Sequence, residues 1–108
     1  MKRGDLLTVA LQGDYGKPRP ALVIQSDFFD RHPSMTVLPV TSDLRDAPLF
    51  RITVQPSATN GLKKPSQIML DKTMTVARDK MGEPFGRLDA DTMLQVERHL
   101  SVFLGIAK

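Results

Sequence analysis

The sequence predicts a mainly β domain that ends in a single α-helix, and three observations carry that reading. Apolar residues over the first three quarters of the chain alternate or form short blocks, the spacing of strands. Pro and Gly fall between those blocks, where turns are needed. Only the last stretch changes to the 3.6-residue period of a helix. With 108 residues and 41% hydrophobic content, residues 1–108 are read as one domain with a modest core.

The elements follow in order. Asp5–Leu11 alternates as a strand, and Gln12–Pro18 is a loop marked by Gly13, Gly16 and Pro18. Pro20–Ile24 is continuously apolar, which suits a central strand covered on both faces. His32-Pro33-Ser34 turns the chain into Thr36–Ser42, where Pro39, lacking an N–H, is expected at an edge or a bulge. Leu49–Gln55 puts Phe50, Ile52 and Val54 on one face and Arg51, Thr53 and Gln55 on the other, and Pro56–Pro65 with Asn60-Gly61 is a loop. Gln67–Val76 is read as one strand: Ile68, Leu70, Met74 and Val76 share a face, opposite Gln67, Met69, Asp71, Thr73 and Thr75. Lys72 falls on the apolar side of that count, which predicts a bulge or a strand end near Asp71.

A short element around Met81–Arg87 returns the chain to the sheet, and Asp89 is the N-cap of a helix reaching about Leu104. Met93, Val96, Leu100, Phe103 and Leu104 form its packing stripe; Leu94, Val102 and Ile106 widen it, and Asp91, Gln95 and Arg98 are solvated. A stripe this wide is suited to meeting a second subunit as well as the sheet.

Composition narrows the function classes. The absence of Cys excludes a disulfide scaffold and thiolate metal sites and fits a reducing cytoplasm. No apolar run has the length of a membrane span, and no apolar block follows the basic N-terminal residues as a secretory signal requires. A net charge of +3 and a pI near 9.5 favour an acidic partner. His32 and His99 have no metal-ligand spacing, so no metal or cofactor is expected. Lys63 and Lys64 beside Pro65 are either a solvated loop pair or contacts to a phosphate backbone. Arg19 stands before Pro20, which fixes its own φ and biases Arg19 toward extended backbone. Its planar fork, held at the mouth of a strand, suits a phosphate.

Arg3-Gly4-Asp5-Leu6-Leu7-Thr8-Val9, then Lys17-Pro18-Arg19-Pro20-Ala21-Leu22-Val23-Ile24, Pro39-Val40-Thr41-Ser42, Leu70-Asp71-Lys72-Thr73-Met74-Thr75-Val76 and a helix ending Leu104-Gly105-Ile106 stand in the order of a known group. In this the chain resembles the MazF/PemK (Kid) family of RNA-cleaving toxins over nearly its whole length. The resemblance implies a small SH3-like twisted β-barrel with a C-terminal helix, a homodimer, and a cytoplasmic toxin held in check by an acidic antitoxin. It further implies metal-independent cleavage of single-stranded RNA (mRNA), with Arg19, Thr41 and Asp71 at the family's catalytic positions. Asp14, Tyr15, Lys17, Gln67 and Lys72 are expected as RNA contacts. Two departures stand out: the loop carrying Asp14 and Tyr15 is short and lacks the glutamate of many relatives, and Met69 and Met74 replace frequent arginines.

Two other readings stay open. A non-enzymatic gyrase poison of the CcdB type shares the fold, and Gln25-Ser26-Asp27 and Phe103-Leu104-Gly105-Ile106 are similar to that group. Such inhibition leans on a C-terminal Trp-Gly-Ile, whereas this chain has no Trp and continues to Ala107-Lys108. A passive nucleic-acid-binding barrel would have to rely on charge, since one Tyr and no Trp provide little stacking surface.

Overall fold

The computed structural model describes residues 1–10 and 17–107. Seven strands curl into a half-barrel: β1 (Asp5–Val9), β2 (Arg19–Val23), β3 (Ser34–Thr41), β4 (Arg51–Val54), β5 (Ser66–Met69), β6 (Met74–Ala77) and β7 (Gly86–Arg87). One helix, α1 (Ala90–Phe103), follows them. The strand order is β4-β5-β3-β2-β1-β7, every described pairing is antiparallel, and β6 pairs with β3 off this path.

Strand β3 is the hub. It pairs with β2 along one side, while its other side pairs first with β6 through Ser34–Val37 and then with β5 at Val40 and Thr41. Pro39 sits at this handover rather than at an edge or a bulge. Ile24 N donates to Thr36 O, so Thr36 faces β2, and successive amides alternate in direction. The Pro39 nitrogen therefore points into the gap between the ends of β6 and β5, where its missing N–H leaves no ladder bond unmade.

Alternation along each strand feeds two apolar cores. Leu6, Leu22, Leu38, Ile52 and Ile68 face α1 and meet its buried Met93 and Val96. Leu7, Val9, Ala21, Val23, Val37 and Val76 fill the other face. Both faces are covered, so β1 to β3 carry near-continuous apolar runs.

Three expectations need correction. Gln67–Val76 is not one strand: the chain turns after Met69, so Ile68 and Leu70 join the core under the helix while Met74 and Val76 join the opposite core. The strand end expected near Asp71 is present, but the shared face across it is lost with the turn. Strand β1 ends at Val9, and Leu11 lies outside the described residues. In α1, Leu100 packs on the core, but Phe103 and Leu104 remain exposed, Phe103 meeting the Phe50 ring in a T-shaped contact.

The half-barrel is tied across its mouth by the connection between β4 and β5. Arg87 N donates to Thr59 O at 2.9 Å, which brings this loop against β7. Asn60 is buried and organises the loop: its Oδ1 accepts from Ser57 N and Leu62 N, and its Nδ2 donates to Gln55 O. Gly86 permits the contact, since a Cβ there would lie 2.1 Å from Asn60 O. Both ends of α1 are capped. The Asp89 carboxylate accepts from Thr92 Oγ1 at 2.7 Å and Thr92 N at 3.0 Å. Gly105, at φ 76°, closes the other end in a Schellman motif, with Ile106 N donating to Ser101 O and Gly105 N to Val102 O.

Candidate functional site

The register of the hub strands builds the site. Ala21 pairs with Pro39 and Leu22 with Leu38, and beyond these pairs the start of β2 and the end of β3 bring Arg19 and Thr41 to one groove. Thr41 pairs in turn with Gln67, and Gln67 with Thr53. Directly opposed residues share a face of the sheet, so this row lies on one side of it.

That row runs beside a groove of about 740 Å³. Arg19 and Pro20 come to it from the start of β2, and Pro39 to Ser42 from the end of β3. Lys63 and Lys64 line it from the tied-down β4–β5 loop, and Lys72 from the turn between β5 and β6. Leu62, Met69, Met74 and Phe85 give it an apolar wall. Among the described lining residues the charged groups are Arg19, Lys63, Lys64 and Lys72, all cationic; no carboxylate or histidine is among them. Such a surface attracts a polyanion, and its apolar wall can hold the face of a base.

The Thr41 hydroxyl has a defined orientation. Its Oγ1 accepts from Asp43 N at 3.0 Å, so its own hydrogen remains to be donated elsewhere. Arg19 is exposed and extended, as the following proline requires.

The structure thus brings Arg19, Thr41 and Lys72 together and adds Lys63 and Lys64, the loop pair for which two readings were open. It does not bring Asp71, which is exposed on the β5–β6 turn and outside the lining; the turn removes it from the strand face on which it was expected. Lys17 is exposed just before β2 and does not line the groove. Asp14 and Tyr15 lie outside the described residues.

Gln67, expected as an RNA contact, is held inside the protein and is not among the groove's lining residues. It is only 7% exposed, and its amide is fully engaged: Oε1 accepts from Arg45 N and Arg51 Nη1, and Nε2 donates to Arg45 O and Thr53 Oγ1. It borders a separate polar concavity of about 270 Å³ together with Arg51 and His99. His99 Nδ1 lies 2.9 Å from Gln95 O, and His32 is exposed beside Ser34, so neither histidine belongs to the groove. Sequence reasoning missed Leu62 and Phe85 as groove residues, because the β4–β5 loop and the residues before β7 meet only in the folded chain, through the Thr59–Arg87 bond and the close approach of Gly86 to Asn60; it missed Ser66, at the start of β5, as well.

Comparison with known proteins places the chain in a family. The family described as "PemK-like, MazF-like toxin of type II toxin-antitoxin system" matches residues 2–104. The chain is 48% identical over 108 residues to "Probable endoribonuclease MazF" of Mycolicibacterium smegmatis, covering 99% of both. In fold it is similar to "Endoribonuclease in complex with its cognate antitoxin from Mycobacterial species", at a TM-score of 0.84 and 21% identity over 100% of this chain and 98% of that one. It is similar also to MazF in a MazE-MazF crystal structure from Deinococcus radiodurans, at a TM-score of 0.81 and 24% identity, covering 99% and 97%. Matched over nearly its whole length, with the expected Arg-Pro strand opening onto the groove, the chain belongs to the PemK-like, MazF-like toxins of type II toxin–antitoxin systems.

Proposed function

We propose that the protein is the toxin of a type II toxin–antitoxin system, a single PemK/MazF-like domain acting in the cytoplasm as an endoribonuclease on single-stranded RNA. The observation that carries this reading is that Arg19 and Thr41 line one groove together with three lysines and no described carboxylate. The relative that is 48% identical carries the name of a probable endoribonuclease.

In the proposed reaction the ribose 2′-oxygen attacks the adjacent phosphorus. The 2′-O–P bond forms, the P–O5′ bond breaks, the proton of the 2′-OH leaves to a base, and the departing 5′-oxygen takes up a proton. The products are a 2′,3′-cyclic phosphate and a free 5′-hydroxyl. Negative charge grows on the phosphate oxygens at the crowded phosphorus, and the Arg19 fork is suited to receive it with two parallel charge-assisted bonds. The hydrogen of Thr41 supplies a third donor. Lys63, Lys64 and Lys72 hold the flanking backbone. No step calls for a metal ion.

The same reading takes the toxin as a homodimer whose groove also receives an acidic antitoxin segment. The relative crystallised with its cognate antitoxin and the cationic lining support it. The test is incubation of the purified protein with a mixed RNA pool in EDTA, with mapping of new ends. Cuts bearing 2′,3′-cyclic phosphates are expected. Cleavage that EDTA abolishes would remove the metal-free mechanism, and intact RNA with blocked gyrase supercoiling would point to a CcdB-type poison.

A further inference from the structure

The turn that follows Thr41 is gripped by side chains of β4 and β5. Asp43, whose amide donates to Thr41 Oγ1, has its own carbonyl held by Arg51 Nη1 at 2.8 Å. The same Nη1 donates to Gln67 Oε1 at 3.0 Å. Gln67 then clasps Arg45 by both backbone groups, accepting from its N at 2.9 Å and donating to its O at 3.0 Å. Thr53 Oγ1 takes the remaining Gln67 hydrogen at 3.1 Å. Arg51, Thr53 and Gln67 come from β4 and β5, which are rigid paired strands, whereas residues 42–46 form an exposed turn. A side-chain network centred on the buried Gln67 amide that anchors an exposed turn fixes geometry more than it adds stability, since Gln67 gives up water to join it.

We infer that Arg51 and Gln67 are positioning residues for the cleavage reaction, acting through the 43–45 turn to hold the Thr41 hydroxyl in its donating orientation. Without the grip the Asp43 amide is no longer fixed, and the Thr41 side chain is free to visit its other staggered rotamers. Its hydroxyl then leaves the phosphate by an ångström or more, a displacement that costs up to about 10²-fold in rate at a reacting centre. This inference rests on the reading of Thr41 as a phosphate contact.

The experiment is a double-mutant cycle under single-turnover conditions, with the full-length protein in excess over a short single-stranded RNA. Arg51→Met and Gln67→Met are each combined with Thr41→Ala. Each single variant is expected to slow the saturated cleavage rate by roughly tenfold or more, with half-saturation shifted by no more than about threefold. In the Thr41→Ala background the same substitutions are expected to change the rate by less than about twofold, because the group they act through is gone. Arg51→Lys, which keeps one donor toward Asp43 O, is expected to recover part of the rate. It also carries the cycle if Arg51→Met melts below the assay temperature.

Equal slowing with and without the Thr41 hydroxyl, or full rates for both single variants, would overturn the inference and leave the nuclease reading intact. A Thr41→Ala protein that cleaves at the wild-type rate would remove the assignment of Thr41, and the positioning role with it.

Discussion

At the scale of single residues, charge and direction decide the site. Arg19 combines a guanidinium with a backbone that Pro20 restricts, so its charge is delivered to a fixed strand end rather than to a mobile loop. Losing one preorganised contact to developing charge lowers a rate by about 10²–10³-fold. Arg19→Ala is therefore expected to reduce cleavage by that order while its thermal unfolding stays near that of the wild type. Arg19→Lys should recover only part, since an ammonium cannot form the two parallel bonds. Gel-based cleavage rates and circular dichroism melts check both halves. Gln67 makes the contrasting point: it is a polar residue on the correct strand face, yet it is buried and its amide is spent on four internal hydrogen bonds. Nothing in its identity or spacing distinguishes the two roles.

At the scale of elements, caps and ties carry the argument. The Thr92 hydroxyl, and then its amide, hold the Asp89 carboxyl below its ordinary value of 3.8. A carboxylate lowered in the folded state adds stability that is fully present above its unfolded value, about pH 4, and lost as pH falls through the folded value. Acid unfolding followed by the helical signal should show that loss, and Asp89→Asn should remove its pH dependence while keeping most of the cap. At pH 7, Asp89→Ala is expected to cost about 0.5–2 kcal/mol in denaturant melts. The β4–β5 loop offers a second check. Gly86→Ala sets a methyl group 2.1 Å from Asn60 O, so backbone must shift and the loop must lift from β7. Since Lys63 and Lys64 ride on that loop, weaker RNA binding is expected alongside a lower melting temperature, read by fluorescence anisotropy and calorimetry.

Taken as a whole molecule, the chain divides its surface between charge and oil. Four cations line the groove, and single-stranded RNA gives a log–log salt slope of roughly −0.7 for each phosphate neutralised, so a slope steepening toward about −3 is expected if all four engage. Lys63→Ala and Lys64→Ala should each flatten it by a comparable step in anisotropy titrations across salt. Away from the groove, Leu49, Val102, Leu104 and Ile106 are each at least half exposed, near the Phe50–Phe103 edge contact. This is the wide helical stripe of the sequence, left uncovered by its own sheet. The proposed homodimer predicts concentration-dependent light scattering, with dissociation on dilution favoured by Val102→Asp or Ile106→Asp if this patch is the contact.

The mainly β class, the C-terminal helix with its Asp89 cap and the Arg19-Pro20 strand entry are legible in the residues themselves. Each rests on local chemistry: alternation, a carboxylate before a helical period, a ring that fixes φ. Tertiary structure alone decided which side chains share the groove. The Gln67–Val76 segment reads as one strand with a bulge or end near Asp71, yet β3 changes partners beside Pro39, so β5 and β6 are separate strands with a turn between them. That turn takes Asp71 out of the groove and puts Lys72 into it. Lys63 and Lys64 reach the site on a loop tied to β7, and Phe85 comes to it from just before that strand, a meeting set by how far the sheet curls. Periodicity records which face a residue occupies within its own strand. It carries no record of where one strand ends against two partners, and that is what placed these residues.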